Sequence, residues 1–327
     1  MCTAMRPSRR QFLYFAAGAA AARAVSPIGS ARAYPARPVH IIVGFPAGTA
    51  PDLIARLFAE RLSERLDQQF IVENRPGAGS KIATESVVSA PPDGSTLLLA
   101  TSANAINWPP HTNLSFNFSR DIAPVGMIVR LPFVMLANLR VGAKSVPEFI
   151  AYAKANPGKI TIGSRGNGGA THVVGELFRM MAGVDLVHVP YRGDYMADLL
   201  GGHVQVAFAG VADCLEQIAD GKLRALGVTD SRRHPQLPDI PAIAEFLPGY
   251  EAVAWLGITA PAGTSEQFVD RLNTEINVIL DDPGVKSRLL ALGAEPTAMT
   301  PTAFREFIAV DTEKWARAIK FAHIAPD

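Results

Sequence analysis

Val39-His40-Ile41-Ile42-Val43-Gly44-Phe45-Pro46-Ala47-Gly48-Thr49-Ala50-Pro51-Asp52 is the stretch from which the fold can be read. Its first five residues form a short apolar run suited to a buried strand, and Gly44 to Gly48 break that run. Beyond the break, Leu53 and Leu57, with Ile54, Phe58, Leu62 and Leu66, recur at four-residue spacing, which puts them on one face of a helix opening near Pro51-Asp52. Phe70 to Glu73 then reads as a second strand, followed by the turn Arg75-Pro76-Gly77-Ala78-Gly79 and a helix from about Lys81 to Ala90. Asp93-Gly94 turns the chain into a strand from Thr96 to Ala100. Such a βαβαβ beginning predicts an α/β fold with a mainly parallel sheet covered by helices.

The rest of the chain extends this pattern. Asn104 to Asn117, with Trp108-Pro109-Pro110, reads as a long loop, and Ile122 to Val129 and Phe133 to Ala137 read as two strands. Ser145-Val146-Pro147-Glu148 is a capping box, in which the serine oxygen accepts an orphan amide and the glutamate reaches back. A second alternating unit follows: strand Lys159 to Ile162, a glycine loop, a helix from about Thr171 to Ala182, strand Leu186 to Val189, a short helix near Met196, strand Gln205 to Phe208, a helix from Leu215 to Ala219 and strand Arg224 to Val228. Pro235 to Pro248 reads as a connecting loop and Glu251 to Ala260 as a strand. Thr264-Ser265-Glu266-Gln267 caps a helix with Phe268, Leu272, Ile276 and Leu280 on one stripe, and the last helix opens at Thr300-Pro301. No internal repeat is visible.

Charge is uneven along the chain. The 327 residues carry 31 Lys+Arg against 30 Asp+Glu, but Met1 to Ala33 holds five arginines and no acidic residue. Ser8-Arg9-Arg10-Gln11-Phe12-Leu13 resembles a twin-arginine export signal; an apolar run to Ala22 follows, and Ala31-Arg32-Ala33 supplies the small residues of a cleavage site. Residues 1–33 are therefore expected to be a signal peptide, cleaved after about Ala33, and the protein is expected in the periplasm. What remains has 26 basic and 30 acidic residues, with no basic tract, which argues against a nucleic-acid partner. Cys2 leaves with the signal, so Cys214 has no disulfide partner and reads as a small buried apolar residue.

Chemistry is expected at strand-to-helix loops, because these line the carboxyl edge of a parallel sheet. Gly163-Ser164-Arg165-Gly166-Asn167-Gly168-Gly169-Ala170-Thr171-His172 is the richest: its glycines admit a ligand to the backbone, and the amides at the following helix start favour an anion. The nucleotide fingerprints fail. Thr171 stands where a Rossmann loop needs its third glycine, and Gly48 precedes Thr49 rather than lysine. Ser164 is not flanked as a nucleophile elbow requires, and the histidines show no metal-ligand spacing. Asp52 reads as a cap for the amides of its own helix start. No catalytic residue, metal or cofactor is expected.

Together these residues resemble the substrate-binding proteins of tripartite tricarboxylate transporters, the Bug family. The resemblance rests on Phe45-Pro46-Ala47-Gly48 with Asp52, Val72-Glu73-Asn74-Arg75-Pro76-Gly77-Ala78-Gly79, Ala90-Pro91-Pro92-Asp93-Gly94, Gly166-x-Gly168-x-x-x-His172, His188-Val189-Pro190-Tyr191-Arg192-Gly193, Gly221-Lys222-Leu223-Arg224-Ala225-Leu226 and Ala260-Pro261-Ala262-Gly263-Thr264, in the family's order. It implies a two-lobed periplasmic binding-protein fold, with residues 34–138 and 256–327 in one lobe and 139–255 in the other. It further implies a small organic carboxylate (a di- or tricarboxylate, an aromatic acid or a similar acid) held between the loops by amides, hydroxyls and water, membrane permease subunits as partners, and a monomer. On that analogy Phe45, Ala47, Gly48, Thr49 and Asp52 face Ser164, Arg165, Gly166, Gly168, Thr171 and His172, while Tyr191 and Arg192 supply a third wall. Three departures stand out: Thr49 in place of a glycine, Arg165 in place of a small residue, and, together, a stretch from Gly193 to Asp198 about two residues shorter than usual and Ala209 where an Asp is common. Arg165 is free on this reading either to grip a second carboxylate or to point to solvent. A ligand sensor, and less favourably a hydrolase using Ser164 and His172, are the rival readings.

Overall fold

A computed structural model describes residues 37–106 and 116–324. The expected export signal and most of the Trp108-Pro109-Pro110 loop lie outside the described residues. The first unit is β1 (Val39–Val43), α1 (Ala50–Leu66), β2 (Phe70–Asn74), α2 (Lys81–Val88) and β3 (Thr96–Thr101), then the short helices α3 (Ser102–Ile106) and α4 (Phe118–Asp121). β4 (Ile122–Asn138) leads to the second unit: α5 (Val146–Ala155), β5 (Ile160–Ser164), α6 (Ala170–Ala182), β6 (Leu186–Pro190), α7 (Met196–Gly201), β7 (Val206–Gly210), α8 (Val211–Ala219) and β8 (Leu223–Val228). The chain returns through β9 (Val253–Pro261) and closes with α9 (Glu266–Asp281), α10 (Pro283–Ala291), β10 (Glu295–Pro296) and α11 (Pro301–Phe321).

The strands lie in the order β2-β1-β3-β9-β4-β7-β5-β6, with β8 and β10 also paired to β4. β1 is parallel to β2 and β3, and β5 is parallel to β6 and β7, so each unit contributes a parallel trio whose middle strand feeds a helix. β9 and β4 run antiparallel between the trios. The alternation of strands and helices expected from the sequence is therefore observed, and the fold is α/β.

β4 corrects the expectation of two separate strands. It is one strand that changes partners: Pro132 makes the last pairing with β9, at Val253, and Phe133 makes the first with β7, at Gly210. Proline lacks the N–H a ladder needs and is tolerated where pairing is exchanged. The same proline that makes the sequence look broken thus marks the crossing. The crossing is tied by charge as well. Arg130 of β4, 9 % exposed, donates Nε and Nη2 to Asp230 at 3.2 and 3.0 Å and also bonds Glu251, so it links the outgoing strand to both flanks of the returning segment.

The helices follow their apolar faces with local corrections. In α1, Ile54, Leu57, Phe58, Leu62 and Leu66 are buried, but Leu53 is 46 % exposed and leaves the stripe. In α9 the stripe Phe268, Leu272, Ile276 and Leu280 is buried as read, with Ser265 Oγ accepting the Phe268 amide. At α5, Ser145 accepts the Glu148 amide, but Glu148 reaches one residue further back than a capping box requires and accepts from Lys144 N at 2.8 Å. α8 begins at Val211 rather than Leu215, and α3 replaces the start of the long loop. Phe304, Ile308 and Trp315 of α11 share one buried cluster with Met135 of β4 and Leu177 of α6, so the last helix packs across both units. Cys214 is buried, and burial pushes its thiol up to about 12, as an inert core thiol requires.

Candidate functional site

The loops after β1 and β5 are built to one local plan. Gly48 and Gly168 both take the left-handed conformation, with φ of 82° and 72°, and each precedes its helix by two residues. In each helix a side chain then reaches back four residues to the glycine amide: Gly48 N donates to Asp52 Oδ2 at 2.9 Å, and Gly168 N donates to His172 Nδ1 at 3.0 Å. Gly48-Thr49-Ala50-Pro51-Asp52 and Gly168-Gly169-Ala170-Thr171-His172 are thus structural counterparts, a repeat too short to register along the sequence. In both, the glycine amide is satisfied by a side chain, which fixes the turn ahead of the helix start.

Asp52 is 2 % exposed, and its partners differ from the cap read in sequence: besides Gly48 N, it accepts from Asn74 Nδ2 at 2.8 Å and Arg56 Nε at 3.0 Å. Burial alone would raise its pKa, but the Arg56, Gly48 and Asn74 hydrogen bonds outweigh burial and hold the carboxyl below its ordinary value. Asp52 is therefore an ionised brace beneath the loop. The Thr49 hydroxyl donates to Pro46 O at 2.7 Å instead of capping the helix, so the hydroxyl gained at that position tightens the turn.

The second loop rests on a buried polar stack. Thr171 Oγ1 accepts from Arg165 N at 3.0 Å, and the His172 ring lies flat on His188, with centroids 3.5 Å apart and planes 6° from parallel. Since His172 Nδ1 accepts, its Nε2 faces Glu176 Oε1 at 3.5 Å as the donor, and Glu176 is held in turn by Arg179. Burial, helped by Arg179 and opposed by Glu176, lowers the His188 pKa to about 4. Ser164 is fully buried, and its Oγ lies 2.6 Å from His188 Nε2, not against His172. The serine and histidine of the hydrolase reading are therefore not brought together.

Between the two helix starts lies a cavity of about 350 Å³, near the lower end of the roughly 300–1,000 Å³ of ligand pockets. Phe45, Ala50 and Pro51 line it from the first loop, and Gly168, Gly169 and Ala170 from the second. Of the residues expected at the site, Phe45 and Gly168 therefore reach the wall. Ser164, Thr171, His172 and Asp52 are buried supports behind it, and Gly166 lies beside the Tyr191 carbonyl. Ala47 and Gly48 are exposed on the first turn. Arg165, expected to meet a carboxylate or solvent, instead pairs with Asp213 at the start of α8, at 3.0 Å. Arg192 is exposed, and the Tyr191 hydroxyl donates to Asp198 at 2.6 Å, so the third wall is not supplied by these two side chains. Ala209 is buried in an apolar cluster.

Three contributions escaped the sequence reading. Thr101, Ser102, Ala103 and Ile106 bring the β3–α3 junction to the cavity. That junction is a third strand-to-helix turn of the kind expected to bind, hidden because the short helix lacks periodicity. Gly79 reaches the wall from the strained turn in which Ala78 and Ser80 take positive φ of 44° and 77°. Leu131, Ala254, Trp255 and Leu256 close it from the crossing strands, and nothing local in the sequence announces them.

Comparison with known proteins gives a consistent result. Residues 54–324 match the model of the tripartite tricarboxylate transporter family receptor, TctC. BugT of Bordetella pertussis is 35% identical over 296 residues, 89% of this chain and 91% of its own length. Among solved structures, R. palustris Rpa4515 with adipate superposes with a TM-score of 0.71 at 32% identity, covering 90% of this chain and 100% of that one. MatC from Rhodopseudomonas palustris with bound malate gives 0.67 at 28% identity, covering 88% of this chain and 100% of that one.

Proposed function

Because the chain belongs to the tripartite tricarboxylate transporter family of receptors, we propose that it captures a small organic carboxylate in the cavity between α1 and α6 and presents it to the permease subunits of such a transporter. It is a binding protein of a transporter family, not an enzyme. The observation that carries the carboxylate reading is the convergence of two braced helix starts, each positive by its dipole, on one cavity. An anion there is met by backbone amides already fixed in place, so little ordering cost is added on binding.

Residues 34–138 with 256–327 form one lobe of this reading and residues 139–255 the other, joined through β4 and β9. Closure brings the Gly48 and Gly168 loops onto the same carboxylate, and the ligand favours the closed state because only that state contacts both. The protein acts in the periplasm as a monomer, released by cleavage of the twin-arginine signal after about Ala33. Among the described residues no helix is long and apolar enough to cross a membrane. Thermal unfolding against matched acids and amides tests the proposal. A carboxylate at 100 times its Kd should stabilise by about 2.7 kcal/mol, a rise of a few degrees in Tm. Equal stabilisation by acid and amide would refute it.

A further inference from the structure

Resting on the carboxylate reading, we infer that the captured acid is a monocarboxylate with an apolar body, aliphatic or aromatic, and that Leu131, Trp255 and Leu256 set this preference. The wall divides by chemistry. The helix starts of α1 and α6 and the Ser102 hydroxyl offer polar groups, whereas the crossing strands offer Leu131, Trp255 and Leu256, flanked by Phe45 and Ile106. Among the described residues, no acidic, basic or histidine side chain lines the cavity.

Two further polar side chains on the wall, Trp255 and Thr101, are already engaged. Trp255, the one indole among the described residues of the wall, donates Nε1 to the buried Asp311 Oδ2 at 2.8 Å, and its ring is held edge-on by Phe304 and Phe307. It therefore presents only apolar surface to a ligand. Thr101 Oγ1 donates to Asn104 Oδ1 at 3.4 Å and accepts from Ala103 N at 3.2 Å. Three of the arginines on the surrounding elements are paired elsewhere: Arg56 with Asp52, Arg165 with Asp213, and Arg130 with Asp230 and Glu251. A second carboxylate would lose its water against leucine and indole without a partner, a burial that is unfavourable for any ion. A methyl or phenyl group at the same place gains from leaving water. One anion and one apolar body match this cavity, and its small volume limits the body to a short chain or a single ring.

Hexanoate and adipate isolate the question, since they share six carbons and differ only in replacing a methyl by a carboxylate. Calorimetric titration of the purified chain, paralleled by Trp fluorescence, should show hexanoate and benzoate binding at least 30-fold tighter than adipate and terephthalate. Adipate binding as tightly as hexanoate would overturn this inference and leave the carboxylate reading intact. Hexanamide binding as tightly as hexanoate would overturn the carboxylate reading itself, and binding of neither acid nor amide would overturn both. Leu131 is half-buried, so Leu131→Lys can place an ammonium at the apolar wall without burying it fully. It should raise the adipate-to-hexanoate affinity ratio at least tenfold, with folding verified by circular dichroism. An unchanged ratio in a folded variant would remove Leu131 from the site.

Discussion

Acid should loosen this protein through His188, and the size of the effect can be worked from the stack. In the folded chain burial keeps the ring neutral down to about pH 4, whereas an unfolded histidine takes its proton near 6.5. Between these values the unfolded state binds more protons, so stability falls as pH is lowered from 6.5 to 4; above and below that window this residue adds no slope. At about 1.4 kcal/mol per pH unit the full effect is about 3 kcal/mol, which partial solvent contact of the ring reduces to roughly half. His188→Gln removes the titration while leaving a side-chain amide for Ser164 Oγ. Urea midpoints of both proteins at pH 7.5 and 4.5 give the comparison, in which other titrating groups cancel. The wild type should lose about 1.5 kcal/mol more than the variant, a midpoint difference of about 0.5 M for a slope near 3 kcal/mol/M. If the two proteins lose the same stability on acidification, His188 is not held neutral by burial and the reasoning fails.

Asp52→Ala removes the acceptor of the Gly48 amide and of Arg56 and Asn74; it should cost about 2 kcal/mol in urea unfolding and weaken carboxylate binding at least tenfold by calorimetry, with Asp52→Asn recovering part of both. Arg165→Ala should change carboxylate affinity less than threefold, because this arginine pairs with Asp213 in a solvent-exposed contact; a tenfold loss would place it on the ligand. Arg130→Ala should destabilise by about 3–5 kcal/mol by leaving Asp230 buried without its cation, and Arg130→Ala with Asp230→Ala should lose less than the single variant in the same assay.

What could be read in the sequence was what the chain decides locally. Strand, glycine loop and helix follow one another within some fifteen residues at Val39 and again at Ile160, so the loops at Gly48 and Gly168 could be placed. The role of Asp52 at its helix start was visible for the same reason, although it also holds the Gly48 amide four residues back, as His172 holds that of Gly168. Arg165 was not legible, because its partner Asp213 is supplied by another element whose start the sequence placed four residues late. Nor was the Trp255 wall, since a residue on a crossing strand faces a ligand only by virtue of which strands β4 and β9 join. The gap read between Val129 and Phe133 contains Pro132, whose missing N–H ends one pairing while the strand continues.

The two loops solve one electrostatic problem in different ways. A brace that fixes a glycine amide beside an anion site must accept a hydrogen bond without repelling the anion. Asp52 accepts as a full negative charge, and the structure compensates with Arg56 in the next turn and with Asn74 from β2. His172 accepts through a neutral ring nitrogen, and the negative charge behind it, on Glu176, is countered by Arg179. Either way the side-chain charges cancel behind the loops, and what remains toward the cavity is the field of the helix starts. A chain whose residues after Ala33 are net acidic can therefore meet an anion without a single cationic side chain on the described wall, and the choice among anions passes to the apolar residues opposite.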